Sequence, residues 1–251
     1  MLWGLFGWAG PARAAGLVAS PACSKPKPKP RIALIIDDIG FSRSSARAFL
    51  GIGVPMTFAV LPRLRFSKSL AWEIHEQGRQ VMLHQPMEPF NAALDPGPGA
   101  VFVKDEPEKI VSTVRENLEE VPFAVGANNH MGSRFTASFE KMSQVLPVIR
   151  EKGLFFVDSL TSGRSTALRT AQSLHMPTAS RNVFLDNRRD VQAIFERLDQ
   201  LRRHALTHGH AIGIGHPHAE TSRAVKAFVS SLDADAVELV HVSSLMEPDS
   251  A

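Results

Sequence analysis

The stretch Ile32-Ala33-Leu34-Ile35-Ile36, running straight into Asp37-Asp38-Ile39-Gly40, decides the architecture of this chain. An apolar run this short, bounded by acids and Gly and rich in β-branched Ile, reads as a strand rather than a helix. It is also too uniformly apolar to be wetted on one face, so both faces must be covered. Similar runs follow at Val54–Val60, Gln80–Leu83, Pro122–Ala127, Leu154–Val157, Asn182–Leu185, His210–Gly215 and Ala236–Val242. Between them lie helical stretches at Ser67–Gln77, Glu106–Glu119, Phe139–Lys152, Val191–Thr207 and Thr221–Leu232, the second with Asp105 as its expected cap and Pro107 in its first turn. Alternating strands and helices describe an α/β protein with a mostly parallel sheet, and eight strands suit a closed or nearly closed barrel. Phe90–Pro98, with its Pro and Gly, reads as a loop insertion, and no internal repeat is seen.

The 251 residues are 44% hydrophobic, enough to fill a sizeable core, and carry 28 Lys plus Arg against 25 Asp plus Glu. A formal charge of +3 invites a nucleic-acid or membrane partner until the charges are located. Residues 1–30 hold Arg13, Lys25, Lys27 and Lys29 and no acid, which leaves 24 bases against 25 acids in the remainder. The part expected to fold is therefore near neutral. Met1 to Cys23 is rich in Leu, Trp, Phe, Ala and Gly and contains the small-x-small triplet Ala12-Arg13-Ala14 that an export signal needs. No positive residue precedes its apolar stretch, and Leu2–Ala9 is far too short to span a bilayer. The segment reads as an export signal, a truncated signal or anchor, or a plain tail. Cys23 lacks the upstream Leu of a lipoprotein cleavage site and reads as a tail thiol. Lys25 to Pro30 alternates Lys and Pro as a semi-rigid spacer, so one domain is expected over residues 31–247.

One Cys excludes an intrachain disulfide framework and a Cys-rich zinc site, whereas ten His leave an imidazole and carboxylate metal site open. Tyr is absent, so no phenol can act as acid, base or nucleophile. No Gly-rich phosphate loop follows the first strand and no basic-aromatic stripe appears, which argues against nucleotide cofactors and nucleic acid.

In parallel α/β architectures chemistry sits at the carboxyl ends of the strands, where the loops converge. Here the ends carry Asp37-Asp38, His84-Gln85-Pro86, Asn128-Asn129-His130, Asp158, Asp186 and His216-Pro217-His218, with few of the Lys and Glu that merely solvate loops. Neighbouring side chains on a strand diverge, and two close carboxylates without a cation force one pKa upward. A divalent metal resolves the pair: one of Asp37 and Asp38 binds it, and the other takes a proton from the attacking water. With His84 and His130 this makes a three-ligand site, for which zinc is the first expectation, with iron, cobalt, nickel and manganese also compatible. The blander reading makes Asp37 and Asp38 a capping pair and His84 and His130 rim histidines. His216 follows Gly213-Ile214-Gly215, small residues permitting close approach, and reads as the acid for a leaving group, as a fourth ligand, or as a structural His. Asp158 and Asp186 orient a histidine or Arg134, or cap loops. His218 is expected to be exposed at a helix start, His241 to lie within a strand, and His75, His175, His204, His208 and His210 to be structural.

Five ordered motifs carry a family resemblance: Ile35-Ile36-Asp37-Asp38-Ile39-Gly40, Thr57-Phe58-Ala59-Val60-Leu61-Pro62, His84-Gln85-Pro86-Met87-Glu88-Pro89, Asn128-Asn129-His130-Met131-Gly132-Ser133 and Gly213-Ile214-Gly215-His216-Pro217. Together they resemble the divergent polysaccharide deacetylase family over roughly Arg31 to Leu245. The resemblance implies a distorted (β/α) barrel of seven to eight mostly parallel strands and a metal-dependent hydrolase that removes acetyl groups from envelope or extracellular glycans. It implies Asp37 as base, Asp38, His84 and His130 as metal ligands and His216 as acid, with Glu88, Asn129 and Arg134 lining the sugar groove. The Thr-Phe-Asp-Asp-Gly and His-x-x-x-His motifs of better-known deacetylases are missing, and the two histidines stand 46 residues apart. The missing Tyr also removes the usual end of the Arg-x-Pro-Tyr loop. The expected location is the periplasm or cell envelope, with a possible membrane tether through the N-terminal segment. Two other readings compete: a non-catalytic envelope protein that binds glycan or a cell-wall enzyme, and phosphoryl transfer by an aspartate nucleophile. The latter usually wants its two acids one residue apart, whereas Asp37 and Asp38 are adjacent.

Overall fold

The computed structural model describes residues 28–233 and 235–246, together with 1–4, 7 and 10. The expectations for Ala12-Arg13-Ala14, Cys23 and Lys25 to Lys27 lie outside the described residues. Among the described residues, no helix is long and apolar enough to cross a membrane.

The described residues form nine strands and seven helices: β1 (Arg31–Ile39), α1 (Arg43–Leu50), β2 (Thr57–Val60), α2 (Ser67–Glu76), β3 (Gln80–Met87), α3 (Pro107–Glu120), β4 (Ala124–Met131), α4 (Phe139–Glu151), β5 (Phe155–Asp158), α5 (Ala167–Ser173), β6 (Thr178–Ser180), β7 (Val183–Phe184), α6 (Val191–His208), β8 (His210–Gly215), α7 (Ala219–Ser231) and β9 (Glu238–Val240), with a closing 3-10 turn at Val242–Leu245. Every pairing is parallel, in the order β6-β5-β4-β3-β2-β1-β8-β7. The sheet curls into a distorted (β/α) barrel, as expected, with β6 and β7 as its two ends. Only Arg181 and Asn182 separate those two strands in the chain. Asn182 ties the seam to β8, donating its N–H to Ile212 O and accepting from Ile212 N through its side chain. β9 pairs with Arg31–Ala33 of β1, while β2 takes the later half of β1, from Ile35 to Ile39.

The period of two on β1 sorts its residues into two cores. Ile32, Leu34 and Ile36 point outward into the layer between strands and helices, packed with Phe49, Leu70, Ile194 and Leu198. Ala33 and Ile35 point inward with Ala59, Met82, Phe155, Val157, Ile212 and Ile214, and Val242 joins them from the 3-10 turn. The barrel interior is thus filled by side chains below, and the next inward position on β1 is Asp37. Gly126 makes room inside the barrel: a Cβ there would sit 2.3 Å from the Phe155 ring.

Several expectations need correction. β6, α1 and α5 leave no signal in the sequence pattern, because Thr-Ala-Ser is not an apolar run and helices of eight and seven residues are too short to show a stripe. Asp105 does not cap α3; the cap position is Glu106, without a side-chain bond, while Asp105 accepts from the Phe102 N–H and from Lys109 Nζ. His241 stands after β9, at the start of the 3-10 turn, rather than within a strand.

Candidate functional site

Alternation sends Asp37 into the barrel and should send Asp38 outward. Two features override this. The pairing of β1 with β2 slips between Ile36 and Ile39, and Asp38 adopts φ +56°, a left-handed conformation uncommon outside Gly but one that Asp and Asn visit more readily than most. The bulge swings Asp38 back onto the rim, and both carboxylates reach one site. Strained backbone of this kind persists only where surrounding structure over-determines it.

His84 on β3 and Asn128 on β4 are direct cross-strand partners, as are Pro86 and His130. The register lets His84 Nδ1 and Asn128 Oδ1 meet at 2.7 Å, while Asn128 Nδ2 donates to Asp37 Oδ1 at 2.8 Å. Because Asn128 Oδ1 can only accept, His84 Nδ1 carries a proton and Nε2 is the nitrogen turned toward the rim. Burial works against charge on this ring, but the two neighbouring carboxylates favour the charged form until a metal displaces the Nε2 proton. There Asp38 Oδ1, His84 Nε2 and His130 Nδ1 converge: Asp38 lies 2.9 Å from His130 and 3.3 Å from His84, and the two ring nitrogens are 3.2 Å apart.

The fit to a divalent metal rests on two observations. Asp38 Oδ1 is a buried atom without an aligned hydrogen bond, even with two imidazole nitrogens beside it. His130 Nδ1 and His84 Nε2 are within hydrogen-bond reach of each other, and the Asp38 oxygen beside them is the atom left without a partner. Ligands about 2.0–2.1 Å from a tetrahedral zinc stand roughly 3.3–3.4 Å apart, close to the spacing of this cluster. A carboxylate and two imidazoles from three strands suit zinc and equally suit other first-row divalent ions. Asp38, His84 and His130 form one group that can hold it; Asp186, His216 and His218 form a second, whose carboxylate is already hydrogen-bonded within the protein.

A second cluster stands beside the first, across β1. Asp186, after β7, takes His216 Nδ1 at 2.9 Å on one oxygen, and the His216 N–H at 2.6 Å and Thr221 Oγ1 at 2.8 Å on the other. His216 Nε2 is left facing Asp38, 3.9 Å from its Oδ2. Gly215 permits this packing, since a Cβ there would meet Thr221, Leu185 and Asp186 within 3.1–3.4 Å. His218 is half-buried at the cap position of α7 and stacks near His216. Asp158 caps a loop, accepting from Leu160 N and Ser165 Oγ, and does not orient Arg134.

The charges in this cleft move each other's protons. Burial pushes the Asp37 carboxyl above its usual range, against the charges of His84 and His216 and the Asn128 amide. Asp38 is also penalised by burial, yet the His130 and His84 rings hold its carboxyl far below the usual range. Burial disfavours charge on His216, but Asp186, with Asp37 and Asp38 behind it, pushes its pKa up to about 9.

The residues expected to line a sugar groove also carry structural bonds. Asn129 is buried, donating to Met131 O and accepting from Ser159 N, so it ties two rim loops together. Glu88 accepts from Val103 N and pairs with Arg134 at 3.0 Å, bracing a loop. The cavity that opens on the Asp38 cluster, about 270 Å³, is lined by Phe41, Leu61, Pro62, Leu64, Pro86, Asp95 to Pro98 and Met131, besides Asp38 and His130. Sequence reasoning missed Asn128 as a site residue, although it stood inside one of the quoted motifs. Its role depends on register, which the motif does not carry.

The sequence matches the divergent polysaccharide deacetylase family over residues 34–246. It is similar to the uncharacterized protein YibQ of Escherichia coli, 34% identical over 234 residues, which span 90% of this chain and 70% of that protein. Among solved structures, an uncharacterized protein from Agrobacterium tumefaciens superposes with a TM-score of 0.83 at 24% identity, over 87% of this chain and 89% of that one. The catalytic domain of a peptidoglycan N-acetylglucosamine deacetylase from Eubacterium rectale gives 0.57 at 14% identity, over 92% and 96%. A CE4-family pseudoenzyme from Bacillus anthracis gives 0.56 at 15%, over 87% and 66%. These three likenesses concern the fold.

Proposed function

Since the chain belongs to the divergent polysaccharide deacetylase family, we propose that it is a metal-dependent hydrolase that removes acetyl groups from a polysaccharide of the cell envelope. The observation that carries this reading is the convergence of Asp38 Oδ1, His84 Nε2 and His130 Nδ1, with the buried Oδ1 left without a hydrogen bond. Bound there, a divalent cation, zinc by preference, supplies Lewis acidity toward an acyl carbonyl oxygen. The chain's own residues do the rest. Asp37, held by Asn128 and 3.6 Å from His84, is the base that takes a proton from the attacking water. His216 stands on the other side of Asp38 with its Nδ1 fixed by Asp186, so Nε2 is presented to the leaving amine or alcohol and can protonate it.

Export to the periplasm or envelope belongs to the same proposal. Its support is the acid-free, apolar and Lys-Pro composition of residues 1–30. The test is acetate release from N-acetylated glycans by zinc-loaded protein, compared with Asp38→Ala and with His216→Gln. Turnover that needs zinc and both residues is expected, with losses of about 100-fold or more for His216→Gln. Equal activity in wild type and Asp38→Ala sinks the assignment, and zinc binding without turnover favours a glycan-binding role.

A further inference from the structure

The cavity beside the metal cluster is unlike a sugar site. Of its lining residues outside the cluster, Phe41, Leu61, Pro62, Leu64, Pro86, Pro96, Pro98 and Met131 are apolar, and Asp95 alone carries a polar side chain. Asp95 is already engaged, accepting from Gly97 N at 2.8 Å within its own loop. The cavity is open beside Phe41 and Asp95, so a sugar ring seated there could face water, but the wall itself offers its hydroxyls almost no side-chain donor or acceptor. An acyl chain needs no partner. The space is also large for an acetyl methyl: 270 Å³ is about nine waters' worth at ~30 Å³ each.

The cavity wall is built rather than loose. Gln85 donates to Pro86 O and Gly99 O, Asn117 on α3 donates to Gln85 Oε1 and Gly99 O, and Arg63 donates to Asn117 Oδ1. This buried network anchors the end of the 90–99 loop, and Gly99 sits so close to Asn117 that a Cβ there would come within 2.5 Å of it. Topology fixes which part of a substrate faces the cavity. Its lining comes from the ends of β1 to β4, whereas His216 follows β8, on the other side of β1. A leaving group must lie beside His216, so the acyl side of the scissile bond points away from it, toward the cavity.

We propose that this cavity holds a straight acyl chain of roughly six to eight carbons, so that the enzyme is a deacylase for medium-chain N- or O-acyl groups rather than for acetyl alone. The inference rests on the hydrolase reading above and deepens it. Water adds its OH to the acyl carbon, the C–N or C–O bond breaks, and the leaving amine or alcohol takes the remaining proton, releasing a medium-chain carboxylate.

Two series test this on the zinc-loaded full chain. In calorimetric titrations with carboxylates from acetate to decanoate, affinity is expected to rise about two- to fourfold per methylene and level off near eight carbons. Hydrolysis of N-acylglucosamines and 4-nitrophenyl esters of the same lengths should follow that order. Leu64→Trp, which fills the cavity, should move the optimum to shorter chains, and Leu64→Ala should move it to longer ones. Opposite shifts cannot come from misfolding. Affinity that is flat or falls beyond acetate overturns the inference, and so does hydrolysis confined to acetyl substrates, which leaves the hydrolase reading standing. Chain-length-dependent binding with no hydrolysis of any substrate keeps the cavity assignment and removes the hydrolase reading.

Discussion

Two acid–histidine clusters share one rim of the barrel, and they differ in how complete they are. Around Asp186 the carboxylate accepts from the His216 backbone, the His216 ring and Thr221, so both oxygens are satisfied within the protein. Around Asp38 a buried oxygen lies 2.9 and 3.3 Å from two imidazole nitrogens and is aligned with neither. Buried polar groups are hydrogen-bonded in the great majority of native structures, so an exception needs a reason. The lesson is that the same residue types at the same rim do two jobs. A finished cluster orients a side chain, and an unfinished one is shaped for something else to complete it.

The sharpest way to break this contrast is to remove each acid in turn and titrate zinc by chelator competition. Asp38→Ala should lower affinity by at least about 100-fold, because it deletes one of three ligands. Asp186→Asn should leave one zinc per chain. Comparable losses in both variants would erase the distinction. Asn128→Leu comes next: without the amide, nothing holds the proton of His84 on Nδ1 or aligns Asp37, and zinc affinity should fall about 10- to 100-fold. Asn128→Asp, which retains an acceptor for Nδ1–H, should recover part of that loss.

A smaller effect concerns the finished cluster and pH. The folded pKa of His216 is pushed up to about 9, above its usual 6.5, so its contribution to stability is complete below about pH 6.5 and is lost as pH rises through 9. With zinc removed, the thermal midpoint of the wild type should drop by several degrees across that interval. Asp186→Asn should start lower and vary less, and parallel curves for the two proteins would count against the pairing. Smallest of all is Arg134→Ala. Its ion pair with Glu88 is half-exposed on the Arg side, so stability should change by less than about 1 kcal/mol in chemical denaturation. A larger loss would mean that Arg134 braces the rim more than its exposure suggests.

Much of this was legible in order alone. Asp37 follows Ile35 by two, so a strand buried on both faces had to carry it inward, and the acids and histidines after successive apolar runs had to gather at one end of a parallel sheet. The strands and helices with long runs or stripes were readable for the same reason. β6 was not, since Thr178-Ala179-Ser180 pairs through its backbone at a barrel end with little apolar surface to announce it. Asp38 defeated the alternation rule because a bulge and a positive φ rotate it back. Glu88 and Asn129 also bond nearby backbone, and Arg134 pairs with Glu88 while staying half-exposed, contacts that follow from loop positions a motif does not carry.

By itself, then, the sequence determined the parallel barrel, the rim where acids and histidines gather and the ligand-type residues on it, because burial and strand periodicity depend on local order. Only the tertiary structure decided that Asn128 faces His84, that Asp38 turns inward, and that His216 is satisfied by Asp186 while Asp38 is left open. Those outcomes rest on strand register and single backbone rotations, where a shift of one residue exchanges every partner.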